Sequence, residues 1–347
     1  MKFYHNKTYI KDIDIALNHV IGIEEICNKS VFVTGATGTI GSFVADMLIR
    51  FNKKHNANTI IYLGGRNIEK IRCQFGIQKN VEFVNYNMNM PIEFDKHVDY
   101  VIHAAGNAHP AAFNANPVGT IIDNIESTYR LLEYLRSHNG KRLLYVSSGE
   151  VYGQGDISLE AFDEPYSGYV DVLSPRSCYP LSKRMTENLC ISYWKQYGIE
   201  SVIVRPCHTY GPCITKTDNR AHAQFLNNAL NGENIVLKSA GTQLRSYNYV
   251  ADCAAALITV LVRGNSGVAY NLANSQSRVT IAELAKQIAI AGNTKVVFET
   301  PNSMDLANQS PIVKQVLDCK KIENLGWKPA FNLEEGICHT LGILRGM

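Results

Sequence analysis

Tyr179 and Lys183 stand four residues apart in Tyr179-Pro180-Leu181-Ser182-Lys183, at the head of a stretch with helical patterning. One helical turn puts the phenol and the ammonium on the same face. A free tyrosine hydroxyl loses its proton near pH ~10, too high for a base at neutral pH. A neighbouring ammonium favours the phenolate and lowers that value, so the pair can act as a base. Upstream, Ser147-Ser148-Gly149-Glu150-Val151-Tyr152-Gly153 follows the β-rich run Arg142–Val146 directly. A hydroxyl at that strand end, Ser148, can hold the hydroxyl of a substrate, and Glu150 can handle a second proton. Together they suit removal of a proton from an alcohol whose carbon gives up a hydride. The plainer readings are a tyrosine–lysine pair on a helix surface and a turn carboxylate that bonds backbone N–H groups.

A hydride needs an acceptor, and the stretch 30–41, SVFVTGATGTIG, points to one. Val31-Phe32-Val33 runs as a strand into Gly35, Gly38 and Gly41, and an apolar helical pattern follows. A strand that breaks through glycines into a helix aims the helix's free N–H groups, and the positive end of its dipole, above the strand end. The missing β-carbons let a pyrophosphate approach the backbone, as in dinucleotide sites. Thr37, Thr39 and Ile40 belong to the same turn.

The elements that position these residues repeat along the chain. A second strand over 59–63 ends in Gly64-Gly65-Arg66-Asn67, where an acidic side chain would accept from an NAD ribose. No carboxylate stands there. Arg66 instead offers a forked, permanently charged partner for a 2′-phosphate, which favours NADP over NAD. A solvated turn arginine is the alternative. Strands are expected at 81–84, with Asn87 and Met88 beyond it against an adenine, and at 100–102, running into His103 and the small Ala104-Ala105-Gly106. Those small residues let a cofactor lie against the backbone, while His103 reads as a packed strand-end residue. A helix with Asn124 and then the strand Arg142–Val146 follow. Strands alternating with helices at this interval predict a Rossmann-type, doubly wound parallel sheet buried on both faces.

The bulk composition narrows the function classes. Of 347 residues, 46% are hydrophobic and 19% charged, as in ordinary globular proteins. The net charge of +3 does not suit a nucleic-acid partner, and no apolar run is long enough for a membrane span. Nine scattered cysteines without a CxxC pair read as reduced thiols of a cytoplasmic protein, with no metal expected. Residues 1–29, with Ile10, Ile13, Ile15, Leu17, Val20, Ile21 and Ile23, form a partly apolar helical arm expected to pack across the main domain.

TGATGTIG, the serine-bearing strand end and the later tyrosine–lysine pair occur in the order of the short-chain dehydrogenase/reductase superfamily. From Ser30 to about Leu341 the chain resembles its extended branch, the nucleotide-sugar epimerase/dehydratase family. Val204-Arg205-Pro206-Cys207-His208-Thr209-Tyr210-Gly211-Pro212 is similar to the family's RxxNxYGP, and the segment from Gly241 to Asp252 to its GxxxRDYxxVxD. Leu325-Gly326-Trp327-Lys328-Pro329 resembles the LGWxP turn. The resemblance implies a dinucleotide domain over 30–205 with part of 240–275, and a smaller, discontinuous lobe over 206–347 that holds a nucleotide diphosphate. It places Pro206 and Asn124 near the cofactor, and His208, Arg220, Gln224 and Arg245 on the substrate beside Ser148, Gly149 and Glu150. Arg245 is nominated for the diphosphate, which a guanidinium fork fits. Family dehydratases carry Asp-Glu after the fifth strand, whereas this chain has Gly149-Glu150. That pattern, with Arg176 and Asp218-Asn219-Arg220, looks more like the UDP-glucuronate decarboxylase branch, although His208 and Ser246 depart from the family's Asn and Asp. The implied activity is transient oxidation at carbon 4 of a nucleotide-linked hexose. The alternatives are an NADPH-dependent reductase of a 4-keto nucleotide sugar and a non-catalytic dinucleotide binder. A homodimer through the tyrosine–lysine helix is also implied.

Overall fold

Strand β1 (Ser30–Thr34) lies inside a seven-stranded sheet in the computed structural model of the chain, which describes residues 3–214, 218–301 and 312–346. Its companions are β2 (Ile60–Gly65), β3 (Val81–Asn85), β4 (Tyr100–His103), β5 (Arg142–Val146), β6 (Glu200–Pro206) and, much later, Ala269–Leu272. The order across the sheet is Ala269–Leu272, β6, β5, β4, β1, β2, β3, with every pair parallel. Connections leave β1 toward β2 on one side, while β4 lies on the other. Such a reversal opens a crevice above the carboxyl ends of β1 and β4, where open α/β sheets bind ligands.

All five residues of β1 are buried, as a parallel strand covered on both faces requires. Val31 and Val33 pack with helix α2 (Thr39–His55) and with the apolar helix Val250–Arg263. Phe32, pointing the other way, joins Leu131, Leu132, Cys190 and Tyr193 of two helices, Pro117–Ser137 and Cys178–Tyr197. Three strands run further than the apolar pattern suggests. β2 continues through Gly64 and Gly65, which pair with Thr34 and Asn85; β3 reaches Asn85 and β4 reaches His103. Ladder pairing, not side-chain type, extends them. Thr59 falls outside β2; its backbone N–H donates to Asn52 and its hydroxyl to the Ile26 carbonyl.

The N-terminal arm forms α1 (Lys7–Asn18), capped by Asn6, and packs across the main domain as expected. Tyr9 donates to Asp46 of α2 at 2.7 Å, while Asp12 accepts from Tyr249 at 2.7 Å and pairs with His339 at 2.9 Å. These bonds tie the first helix to both halves of the chain.

Beyond β6 come β7 (His208–Tyr210), β8 (Ile235–Leu237), β9 (Leu244–Tyr249), β10 (Ala269–Leu272, the sheet edge above), β11 (Arg278–Thr280), β12 (Val296–Phe298) and β13 (Lys314–Gln315). β7, β11 and β13 all pair with β9, and β8 pairs with β12. This smaller layer stands above the crevice and supplies its far wall. Trp327, in the LGWxP-like turn, is fully buried. Beneath the crevice Glu187 accepts from Arg205 at 2.9 and 2.6 Å and from Ser147 at 2.6 Å, holding the tyrosine–lysine helix to β5 and β6.

Candidate active site

The glycine turn shows why this sequence bends where it does. Gly35 has φ +69°, and a β-carbon there would lie 2.8 Å from the Ala104 carbonyl and the Ala105 Cα. A β-carbon on Gly41 would stand 2.3 Å from the Gly35 oxygen. Side chains at either position would push the turn off β4 and close the cradle, so the backbone is free to take a pyrophosphate. Helix α2 starts at Thr39 with its first N–H groups facing the crevice, the polarity an anion needs. Thr39 also donates its hydroxyl to the Cys213 carbonyl, joining the turn to the far wall.

A cavity of about 940 Å³ opens above this turn. Gly38, Thr39, Ile40, Gly41, Ala104, Ala105, Gly106, Lys183 and Pro206 line the cofactor side. Ser148, Gly149, Glu150, Tyr179, His208, Arg220, Gln224 and Arg245 line the rest. Gly35 lies under the turn and Thr37 within it. Gly65, Arg66 and Asn67 stand at the end of β2, outside the lining: Arg66 is exposed near Asp123, and Asn67 caps the helix Ile68–Phe75 by accepting from Lys70. Asn87 accepts from the Asn89 N–H, and the Met88 carbonyl accepts from Arg130. Asn124 is a brace, donating to the Thr120 carbonyl and the Ser182 hydroxyl between the two long helices. His103 is packed, bonded to Thr34 at 2.7 Å and Ser127 at 3.1 Å, and burial lowers its pKa to about 3.

Tyr179 occupies the first turn of the helix Cys178–Tyr197, its ring stacked on Phe113 at 5.1 Å and its hydroxyl bonded to Ser148. Ser148 caps the short turn Gly149–Tyr152 by accepting from the Glu150 N–H at 3.1 Å, which fixes its hydroxyl beside the phenol. Lys183 sits one turn deeper, donates to the Val146 carbonyl at 2.9 Å and lies 5.8 Å from the Tyr179 ring. The sequence reading expects a depressed phenol pKa; in the chain alone it is raised to about 12. Burial is the main cause, the Ser148 bond and Arg220 lower it, and Glu150 raises it. Burial also lowers the Lys183 ammonium to about 8, against the pull of Glu187. Desolvation outweighs the Ser148 bond and Arg220 here.

Glu150 carries the other reactive group. Its Oε2 is shielded, has no hydrogen-bond partner and lies 3.8 Å from the Arg176 guanidinium. Burial raises its pKa, while Arg176 and Arg245 pull it back. Arg176 also lies over Phe113 at 5.9 Å, so one aromatic ring supports both the arginine and Tyr179. Arg245 is buried, donating to the carbonyls of Leu244, Ile312 and Val313. On the far wall Arg220 is bonded to Asp218, whose carboxyl it holds down at about 2 despite burial.

Residue patterns alone miss several lining groups. His222 is buried with Nε2 unpartnered, and sits with His208 around Tyr247. Burial, Arg220 and, for His208, Arg245 keep both imidazoles uncharged. Gln315 and Phe113 come from β13 and the helix Pro110–Ala115. Each stands in a local stretch that reads as ordinary surface or core. Cys178 is a packing residue, its thiol directed at the Phe113 carbonyl. Among the described residues no helix is long and apolar enough to cross a membrane, and no group of three or more His, Cys, Asp or Glu is placed to hold a metal.

Residues 31–273 match the model of the NAD dependent epimerase/dehydratase family. UDP-glucuronic acid decarboxylase 3 of Arabidopsis thaliana is 33% identical over 314 residues, covering 89% of this chain and 87% of that protein. UDP-glucuronic acid decarboxylase 1 of Xenopus tropicalis is 31% identical over 326 residues, covering 93% and 74%. Among solved structures, DesIV, the dTDP-glucose 4,6-dehydratase of Streptomyces venezuelae, superimposes with a TM-score of 0.77 at 22% identity, covering 91% and 97%. The UDP-glucose 4-epimerase of Thermus thermophilus gives 0.75 at 24%, covering 91% and 99%. On these similarities the chain belongs to the NAD dependent epimerase/dehydratase family and is an enzyme of the extended short-chain dehydrogenase/reductase type.

Proposed function

We propose that the enzyme transiently oxidises carbon 4 of a nucleotide-linked hexuronate and that the step this enables is loss of the sugar's carboxylate. The observation that carries this reading is Glu150, a partly buried carboxyl whose shielded Oε2 has no hydrogen-bond partner among the described residues and faces Arg176 at 3.8 Å, with glycine where a dehydratase has its acid. The similarity to UDP-glucuronic acid decarboxylases supports the same choice.

A bound nicotinamide dinucleotide supplies the acceptor for the hydrogen of carbon 4 and returns it, and the cradle at Gly35 and Gly41 fits its pyrophosphate. Ser148 holds the carbon-4 hydroxyl while Tyr179 takes its proton. Lys183 favours the phenolate form of Tyr179. Tyr179 then offers its proton to oxygen 4 as carbon dioxide departs from carbon 5 and negative charge moves onto that oxygen. Glu150, with its pKa raised by burial, delivers the proton that carbon 5 requires. Arg245 and Arg220 meet the diphosphate, with His208 and Gln224 on the same wall. The test is a panel of UDP-, GDP-, CDP- and dTDP-sugars, hexuronates included, followed by mass and proton NMR. Loss of 44 mass units, roughly the CO₂ expected from the bond broken, supports the reading; loss of water or unchanged mass for every hexuronate overturns it.

Arg66 favours a second reading, reduction of a 4-keto nucleotide sugar with NADPH. It also bears on cofactor choice, since structural relatives were solved with NAD. In this reading Arg66 is the 2′-phosphate partner. Arg66→Ala should weaken NADPH about tenfold, the scale of one charge-assisted hydrogen bond, and change NADH less than about twofold. Equal affinities before and after the change, measured by fluorescence titration, remove the NADP preference. A requirement for added NADPH during turnover would favour the reductase.

A homodimer fits the exposed apolar residues Val118, Ile122 and Tyr129 on the helix Pro117–Ser137 and Met185 on its neighbour Cys178–Tyr197. Nine cysteines scattered along the chain without a CxxC pair suit the cytoplasm.

A further inference from the structure

We propose that Gln315 is the specificity-determining residue that reads the carboxylate on carbon 6 of the sugar; this rests on the decarboxylation reading above. Gln315 is 2% exposed, lines the cavity and leaves its Nε2 without a partner. A buried amide donor that finds no acceptor among the described residues is costly unless a ligand supplies one. Its location identifies the ligand atom. A β-carbon built on Gly149 would lie 3.5 Å from the Gln315 Cδ and 3.6 Å from its Nε2, so the amide faces the space a side chain at 149 would fill. That space is flanked by Ser148, which holds the carbon-4 hydroxyl, and by Glu150, which serves carbon 5. The next substituent along the sugar is carbon 6.

The chemistry of the replacement favours a carboxylate there. An acid at 149 would repel a second carboxylate a few ångströms away, by several kcal/mol at the effective dielectric of a buried site (~20). Glycine removes that charge, and an amide N–H in its place donates to a carboxylate oxygen without a proton to lose. Gln315 is also firmly held. It pairs with Arg245 in the β13–β9 ladder, and Arg245 grips the carbonyls of Ile312 and Val313 just before it. The strand that carries the donor is therefore held in place before the sugar arrives.

The test compares UDP-glucuronic acid with UDP-xylose, which lacks carbon 6, binding to enzyme saturated with NAD. Titrations in the Tyr179→Phe background prevent turnover. Gln315→Met, similar in length but without the N–H, should weaken UDP-glucuronic acid about tenfold and UDP-xylose less than about twofold, since one charge-assisted bond is lost. Gln315→Glu should weaken UDP-glucuronic acid about a hundredfold through like-charge repulsion, again sparing UDP-xylose. Parallel weakening of both ligands, or an unchanged ratio, overturns the assignment. Because the ratio is read from binding, it decides on Gln315 even where wild-type enzyme fails to release carbon dioxide, the outcome that overturns the reaction assigned above. Wild-type enzyme that binds neither ligand overturns both.

Discussion

Tyr179→Phe should lower turnover by about 10³-fold or more while the dissociation constant for the dinucleotide changes by less than about twofold. The ring is buried against Phe113, so phenylalanine keeps its packing and loses only the hydroxyl and its bond to Ser148. Wild-type rates in this variant would end the proton-transfer role. The same group sets a pH signature. In the chain alone burial holds the phenol at about 12 and the Lys183 ammonium at about 8. Turnover should therefore rise with pH as the phenolate fraction grows, then fall near pH 8 as Lys183 loses its proton and ceases to favour that phenolate. A flat profile between pH ~6 and ~9 would contradict the coupling.

The second large effect concerns Glu150. Glu150→Gln preserves shape and should cut product formation by about 10²- to 10³-fold, the range for loss of a positioned acid or base. Oxidation at carbon 4 does not need this carboxyl, so absorbance near 340 nm should still rise on adding the sugar. In heavy water the wild-type product should carry deuterium at carbon 5, and the variant should form that product only slowly. Unimpaired release of carbon dioxide with full labelling would show that Glu150 is a turn residue only. The neighbouring Arg176, 3.8 Å away, is the counter-charge that limits how far burial raises the carboxyl.

The resemblance named from the glycine turn, the strand-end serine and the tyrosine–lysine pair holds for the chain as a whole. It was legible because each motif is local: a turn that tolerates no β-carbon at Gly35 or Gly41, a hydroxyl one residue past a strand, and two side chains one helical turn apart. The alternation of buried strands with helices is local too, and the sheet formed close to the expected segments. Where β2 and β4 ran on through Gly65 and His103, the partner strand decided, since hydrogen-bond pairing continues after the apolar pattern stops.

The amino-acid sequence by itself determined the glycine turn, the parallel sheet and the one-turn spacing of Tyr179 and Lys183, because these depend on backbone freedom, periodicity and spacing within a few residues. Tertiary structure alone decided their electrostatics and their neighbours. Lys183 turned out to donate to the Val146 carbonyl, and burial carried the phenol upward although an ammonium stands one turn away. Gln315 reached Gly149, and His222 joined His208 around Tyr247, from segments remote along the chain. Desolvation and long-range juxtaposition are properties of enclosed space, and a linear pattern carries no measure of what will be enclosed with what.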